Sequence, residues 1–167
     1  MKANLYSTAA FIMIVMFAVT RTYGQVTLNQ ELCEITKKYV KGQKIEFTCS
    51  FTLTNQGASS ITISDGENGN FQKPCECTSI KLVSKSAQTV GQYRSQTVKP
   101  GETASFDVIY TLDGKAESNT DDGRTYTAHL AEFKESGGMR NQTIELNIKE
   151  TNQSFNLEFI YYLEGYK

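Results

Sequence analysis

Between Lys44 and Thr54 apolar and polar side chains alternate without a break. Ile45, Phe47, Cys49, Phe51 and Leu53 share one parity, and Lys44, Glu46, Thr48, Ser50, Thr52 and Thr54 the other. That period of two is the mark of a β-strand with one face buried. Upstream, Cys33, Ile35 and Tyr39 also share a parity, and Lys41-Gly42 separates them from the stronger run, so the two segments are expected to pair as a hairpin. A turn centred near Lys41 would place Cys33 opposite or next to Cys49, both facing the core. Cross-strand neighbours lie about 4.5–5.5 Å apart, so this predicts a disulfide within the hairpin, with two buried free thiols as the alternative.

The alternation continues downstream. After a turn at Asn55-Gln56-Gly57 come Ile61 and Ile63, then a loop from Asp65 to Asn70, Phe71, the segment Cys75-Glu76-Cys77-Thr78, and Ile80 with Leu82. The polar stretch from Ser84 to Gln96 reads as a long connection with one strand around Val90 to Tyr93. In Lys99-Pro100-Gly101-Glu102, proline presets φ and glycine accepts positive φ, which is a turn. Phe106, Val108 and Tyr110 form the next strand, and the acidic stretch Asp113 to Gly123 is an exposed loop with no apolar period. Tyr126, Ala128 and Leu130 are read as a strand, and Ser136-Gly137-Gly138 as a turn. Ile144, Leu146 and Ile148, then Phe155, Leu157, Phe159, Tyr161 and Leu163, close the chain. No helical period competes after residue 25. About seven or eight short strands with turns between them point to an all-β fold, a single immunoglobulin-like antiparallel β-sandwich. The chain has no tryptophan, so the Cys-Trp-Cys core of antibody domains is absent.

The N-terminus departs from this pattern. Lys2 precedes an apolar run from Ala9 to Val19, followed by Thr22 and Gly24, the order of a cleavable signal peptide. The run is about half of the ~20 apolar residues a bilayer span needs, so residues 1–24 are expected to be removed. Residues 25–167 would then form the sandwich, exported to the periplasm or secreted, with no stable membrane anchor. All 18 acidic residues follow Gly24 and two of the 17 basic ones precede it, so the mature charge is 15 − 18 = −3. The charges are scattered with no basic face, which argues against a nucleic-acid partner.

Export changes the reading of Cys33, Cys49, Cys75 and Cys77, because an oxidising compartment permits disulfides. Cys75 and Cys77 are the tightest pair of reactive groups. Two thiols one residue apart can cycle as a redox disulfide or hold a soft metal; they can equally pair as a structural bond or simply pack. A redox role needs an electropositive setting, and only Lys73 and Lys81 are near in sequence. A zinc site takes four ligands, and His129, the single histidine, falls on the outward parity of its expected strand. Asp65 to Asn70 and the Asp113, Asn119, Asp121, Asp122 group could be imagined as calcium loops, but neither has EF-hand spacing. No nucleophile elbow, phosphate loop or zinc-protease motif occurs, so no catalytic residue and no cofactor is predicted.

Several of these segments, taken together, resemble a known family. Phe51, Leu53, Asn55 and Gly57, then Ile61 and Ile63, then Cys75-Glu76-Cys77-Thr78, then Val98-Lys99-Pro100-Gly101-Glu102 with Phe106, Val108 and Tyr110, and finally Thr151-Asn152 and Leu163-Glu164-Gly165 are similar to the domain of unknown function family 1573. Its members are exported bacterial domains related to the major-sperm-protein and PapD-like folds. Glu76 stands where that family carries glycine. The resemblance implies an immunoglobulin-like fold and an exported location, with no settled activity. The expectation is a non-enzymatic interaction module of the cell envelope or exterior, whose sheet edges or loops, Ser84 to Gln96 and Asp113 to Gly123 among them, meet a protein partner. The alternative is a thiol redox or soft-metal-handling protein using Cys75 and Cys77.

Overall fold

A computed structural model describes residues 25–40, 43–66, 69–75, 77–84, 86–90, 93–112 and 126–165. The expected signal segment and the Asp113 to Gly123 loop lie outside the described residues. The elements are β1 (Val26–Leu28), β2 (Leu32–Lys38), β3 (Ile45–Asn55), β4 (Ile61–Ser64), β5 (Phe71–Gln72), β6 (Thr78–Leu82), β7 (Gln88–Val90), β8 (Tyr93–Val98), β9 (Thr103–Leu112), α1 (Tyr126–Glu135), β10 (Met139–Ile148) and β11 (Gln153–Glu164). They assemble into sheets of order β1-β3-β9-β6, β2-β11-β10-β5 and β4-β8-β7. The fold is an all-β immunoglobulin-like sandwich, with more strands than the apolar runs suggested because β1, β5 and β7 are too short to show a period.

Inward parity builds the core. Phe47, Phe51, Phe106 and Tyr110 from one sheet meet Leu157, Phe159 and Tyr161 from the other, all buried. Phe51 stacks on Phe106 at 5.4 Å and meets Phe159 edge-on at 5.6 Å, while Tyr110 stacks on Tyr161 at 4.8 Å. Such aromatic contacts add to the burial term. The Pro100-Gly101 turn forms as expected: Gly101 has φ +80° and Glu102 N–H donates to the Lys99 carbonyl at 2.9 Å.

Three expectations are corrected. The Cys33 and Cys49 strands do not form a hairpin: β2 runs parallel to β11, with Cys33 beside Phe159, and β3 lies between β1 and β9. The chain between them crosses from one layer to the other, so shared parity reported a shared core, not a shared ladder. The Cys33–Cys49 disulfide exists, yet it ties sheet to sheet, with the Cα atoms 6.4 Å apart. The same pairing makes the sandwich mixed, since β2–β11 is parallel.

Second, Tyr126 to Leu130 belongs to a helix. Within Tyr126–Glu135, Leu130 and Phe133 lie three apart and are buried, the spacing of one helix face; Phe133 stacks on Phe47 at 6.0 Å. Ala, Leu, Glu and Lys dominate the segment and favour helix. The helix ends where Gly137 adopts φ +68°, Gly138 N–H donates to the Phe133 carbonyl and Gly137 N–H to that of Lys134, the paired bonds of a Schellman cap. His129 therefore sits on α1, not on a strand.

Third, Ser84 to Gln96 is no long free connection. Val90 pairs with Tyr93 across a β7–β8 hairpin. The Arg94 guanidinium donates to the carbonyls of Leu82, Ser84 and Ala87, which fixes the segment leading into that hairpin.

Candidate functional site

Cys75 and Cys77 are bonded to each other, with Cα atoms 5.2 Å apart. Thr78 N–H donates to the Cys75 carbonyl at 3.2 Å and Thr111 N–H to the Cys77 carbonyl at 2.9 Å, so the pair closes a turn leading into β6 and anchors it to β9. Cys75 is half-buried; Cys77 is only 8 % exposed. An incoming thiolate would have to approach from the Cys75 side.

Behind this turn runs a buried polar chain that the sequence reading did not find. Cys75 Sγ lies 3.6 Å from Thr78 Oγ1, which accepts from Gln142 Nε2 at 2.7 Å; Tyr161 O–H donates to Gln142 Oε1 at 3.0 Å. Tyr161 stacks on Tyr110, whose hydroxyl accepts from Arg140 Nη1 at 2.7 Å, and Arg140 pairs with Glu132 of α1 at 2.6 Å. Burial pushes the Tyr161 hydroxyl well above its ordinary value, with Tyr110 adding to the rise and Arg140 opposing it. The phenol is therefore a neutral donor and not a base. Gln142 was legible in principle: it shares the inward parity of Ile144, Leu146 and Ile148, a polar residue on an apolar face. Thr78, Gln142 and Tyr161 join β6 to β10 and β11 through the core, which is structural work.

The imagined calcium loop is committed elsewhere. Asp65 Oδ1 accepts from Arg94 N–H at 2.7 Å, and Asn70 accepts from Ser64 N–H at 2.8 Å while donating to the Asn147 carbonyl at 2.7 Å. Among the described residues no three His, Cys, Asp or Glu converge as a cation cage. A cleft of about 400 Å³ lined by Ser64, Asn70, Tyr93 and Glu150 is likewise built from spent groups, since Glu150 accepts from Thr62 N–H at 2.9 Å.

An open feature among the described residues is the sheet edge at β2, which ends its sheet. Glu158 N–H donates to the Glu31 carbonyl and Tyr39 N–H to that of Glu164, so the odd-numbered backbone groups of β2 face β11. By alternation the N–H and C=O groups of Leu32, Glu34, Thr36 and Lys38 face outward. Their side chains are all exposed.

No family model matches the chain, and no curated protein matches it. Similar solved structures include a protein of unknown function from Porphyromonas gingivalis W83, at 9 % identity and TM-score 0.46, covering 83 % of this chain and 46 % of that one. The chain thus spans under half the length of that protein. Others are a PapD-like domain of human CEP192, at 10 % identity and TM-score 0.40 over 83 % of this chain and 84 % of that one, and the CooA pilin subunit of enterotoxigenic Escherichia coli, at 10 % and 0.38 over 83 % and 97 %. No helix among the described residues is long and apolar enough to cross a membrane.

Proposed function

We propose that the chain is a non-enzymatic interaction module of the cell envelope or exterior, exported by its N-terminal segment and related to the domain of unknown function family 1573, and that it binds a protein partner by strand addition. The observation carrying this reading is β2. At seven residues it is the longest strand ending any of the three sheets, and the disulfide at Cys33 holds it against the opposite layer. An extended segment adding to such an edge gains main-chain hydrogen bonds without any catalytic group. Two disulfides support an oxidising compartment. The redox or soft-metal alternative has less behind it, because the Cys75–Cys77 turn is stitched to β9 and to a structural polar chain.

The test is a photo-crosslinking residue placed at Thr36 on β2, at Ser79 on the β6 edge, and at exposed Thr143 on interior strand β10, in the full chain expressed in its native cells. A protein adduct from Thr36 or Ser79 and none from Thr143 is expected. Adducts from neither edge would sink the reading.

A further inference from the structure

We propose that the partner at β2 is a second copy of this chain, with the two β2 strands pairing antiparallel across a two-fold axis at Thr36. This deepens the strand-addition reading and rests on it. The outward backbone groups of β2 are those of Leu32, Glu34, Thr36 and Lys38, so an antiparallel partner must set even-numbered residues opposite even-numbered ones.

Charge then decides the register. With Thr36 opposite Thr36, Glu34 faces Lys38 of the other copy and Lys38 faces its Glu34, giving two symmetric opposite-charge pairs on one exposed face. Shifting the axis one way to Glu34 sets like charges opposite each other. Shifting it to Lys37 sets Glu34 against Val40 and leaves Lys38 against Thr36. An axis at Ile35 sets Glu34 against Thr36 and Lys38 against Leu32. Parallel in-register pairing sets Glu34 on Glu34 and Lys38 on Lys38. Opposite charges across a ladder stabilise it and like charges destabilise it, so the Thr36 axis is the one favoured arrangement.

The apolar pattern agrees independently. Carried two residues past Lys38, where β2 ends, that register brings Leu32 opposite Val40 of the other copy, twice. Leu32 is 47 % exposed and Val40 42 %, two of the three large hydrophobic residues left exposed among the described residues. Pairing β2 with β2 would join the two β2-β11-β10-β5 sheets into one, and the two-fold closes because each copy's edge is consumed. Glu34 and Lys38 also penalise other edge strands lacking the complementary pattern.

Sedimentation velocity on the mature chain from about 1 to 100 μM, a range spanning ordinary transient affinities, reads the association. Wild-type protein is expected to dimerise, Glu34→Lys and Lys38→Glu each to weaken dimerisation by about tenfold or more, and the double charge swap to restore it. Thr36→Pro removes an outward N–H and is expected to leave a monomer with an unchanged circular dichroism spectrum. A monomeric wild type, or singles that weaken association without rescue in the double, overturns the proposal. The Thr36 crosslink separates the two levels: an adduct of twice the chain mass supports self-pairing, an adduct with a different protein refutes self-pairing while strand addition stands, and no adduct at Thr36 refutes self-pairing, with strand addition refuted as well when Ser79 also gives none.

Discussion

Replacing Cys33 and Cys49 together by alanine should cost far more stability than replacing Cys75 and Cys77. The first bond spans a sequence separation of 16 and the second a separation of 2. In the chain-entropy account a cross-link stabilises by restricting the unfolded chain, and a loop of the first size is worth about 3 kcal/mol against roughly half that for the second. Removing the buried Cys49 sulfur adds roughly 1 kcal/mol for lost packing. The double variant should therefore lose about 4 kcal/mol, which for a domain of this size lowers the Tm by roughly 10 °C. Urea titration followed by far-UV circular dichroism measures it, with the other disulfide verified intact by mass spectrometry. Hydrogen exchange adds a local readout, because β2 loses its tie to the opposite layer and its amides bonded to β11 should exchange faster. A loss below about 1 kcal/mol, or an equal loss in the Cys75→Ala/Cys77→Ala variant, would refute the assignment of Cys33–Cys49 as the main staple.

Gln142→Leu should cost about 2–4 kcal/mol in the same titration, since it strands both the Thr78 and Tyr161 hydroxyls in the core, whereas Tyr161→Phe, which strands only Gln142 Oε1, should cost less; equal costs would count against the chain of bonds. The Tyr161 hydroxyl lies above its ordinary 10.0 in the folded protein, so its contribution is fully present below pH 10 and is lost as pH rises beyond it. Tyr161→Phe should flatten the alkaline fall in stability measured from pH 9 to 12, and an unchanged fall would contradict the burial argument. Phe133→Ala should cost about 3–5 kcal/mol if α1 truly caps the core through Phe133, and a loss near zero in thermal melts would place that helix off the sandwich.

The long strands were legible because their alternation was nearly complete, as in Ile45 to Leu53 and Phe155 to Leu163. Alternation specifies which face is buried, but not which strand lies alongside. Shared parity therefore joins Cys33 to Cys49 without making their strands a hairpin. Tyr126, Ala128 and Leu130 satisfied a period of two only over three positions; Phe133, three residues beyond Leu130, carried the helical signal. The polar chain was hidden for another reason. Tyr110 and Tyr161 look like core aromatics at inward positions, and nothing local says that their hydroxyls need partners. Asn55 shows the same limit: read as a turn residue, it is buried, donates to the Ser59 and Val98 carbonyls and accepts from Gly57 N–H, so it pins its turn to β8.

The distribution of rigidity bears directly on which edge can bind. β1 and β7 have three residues each, β4 four and β5 two, too short to template a partner strand. β6 offers five residues but begins at the Cys75–Cys77 turn, which limits how far an added strand can run. β2 is long and is held on three sides: by its ladder to β11, by the disulfide from Cys33, and by the inward packing of Ile35 on the core. A partner strand meeting it need not order it first, so less of the binding energy is lost to conformational entropy. The covalent tie between the layers thus fixes the conformation of β2, whose length, charge order and exposed apolar residues carry the strand-addition proposal.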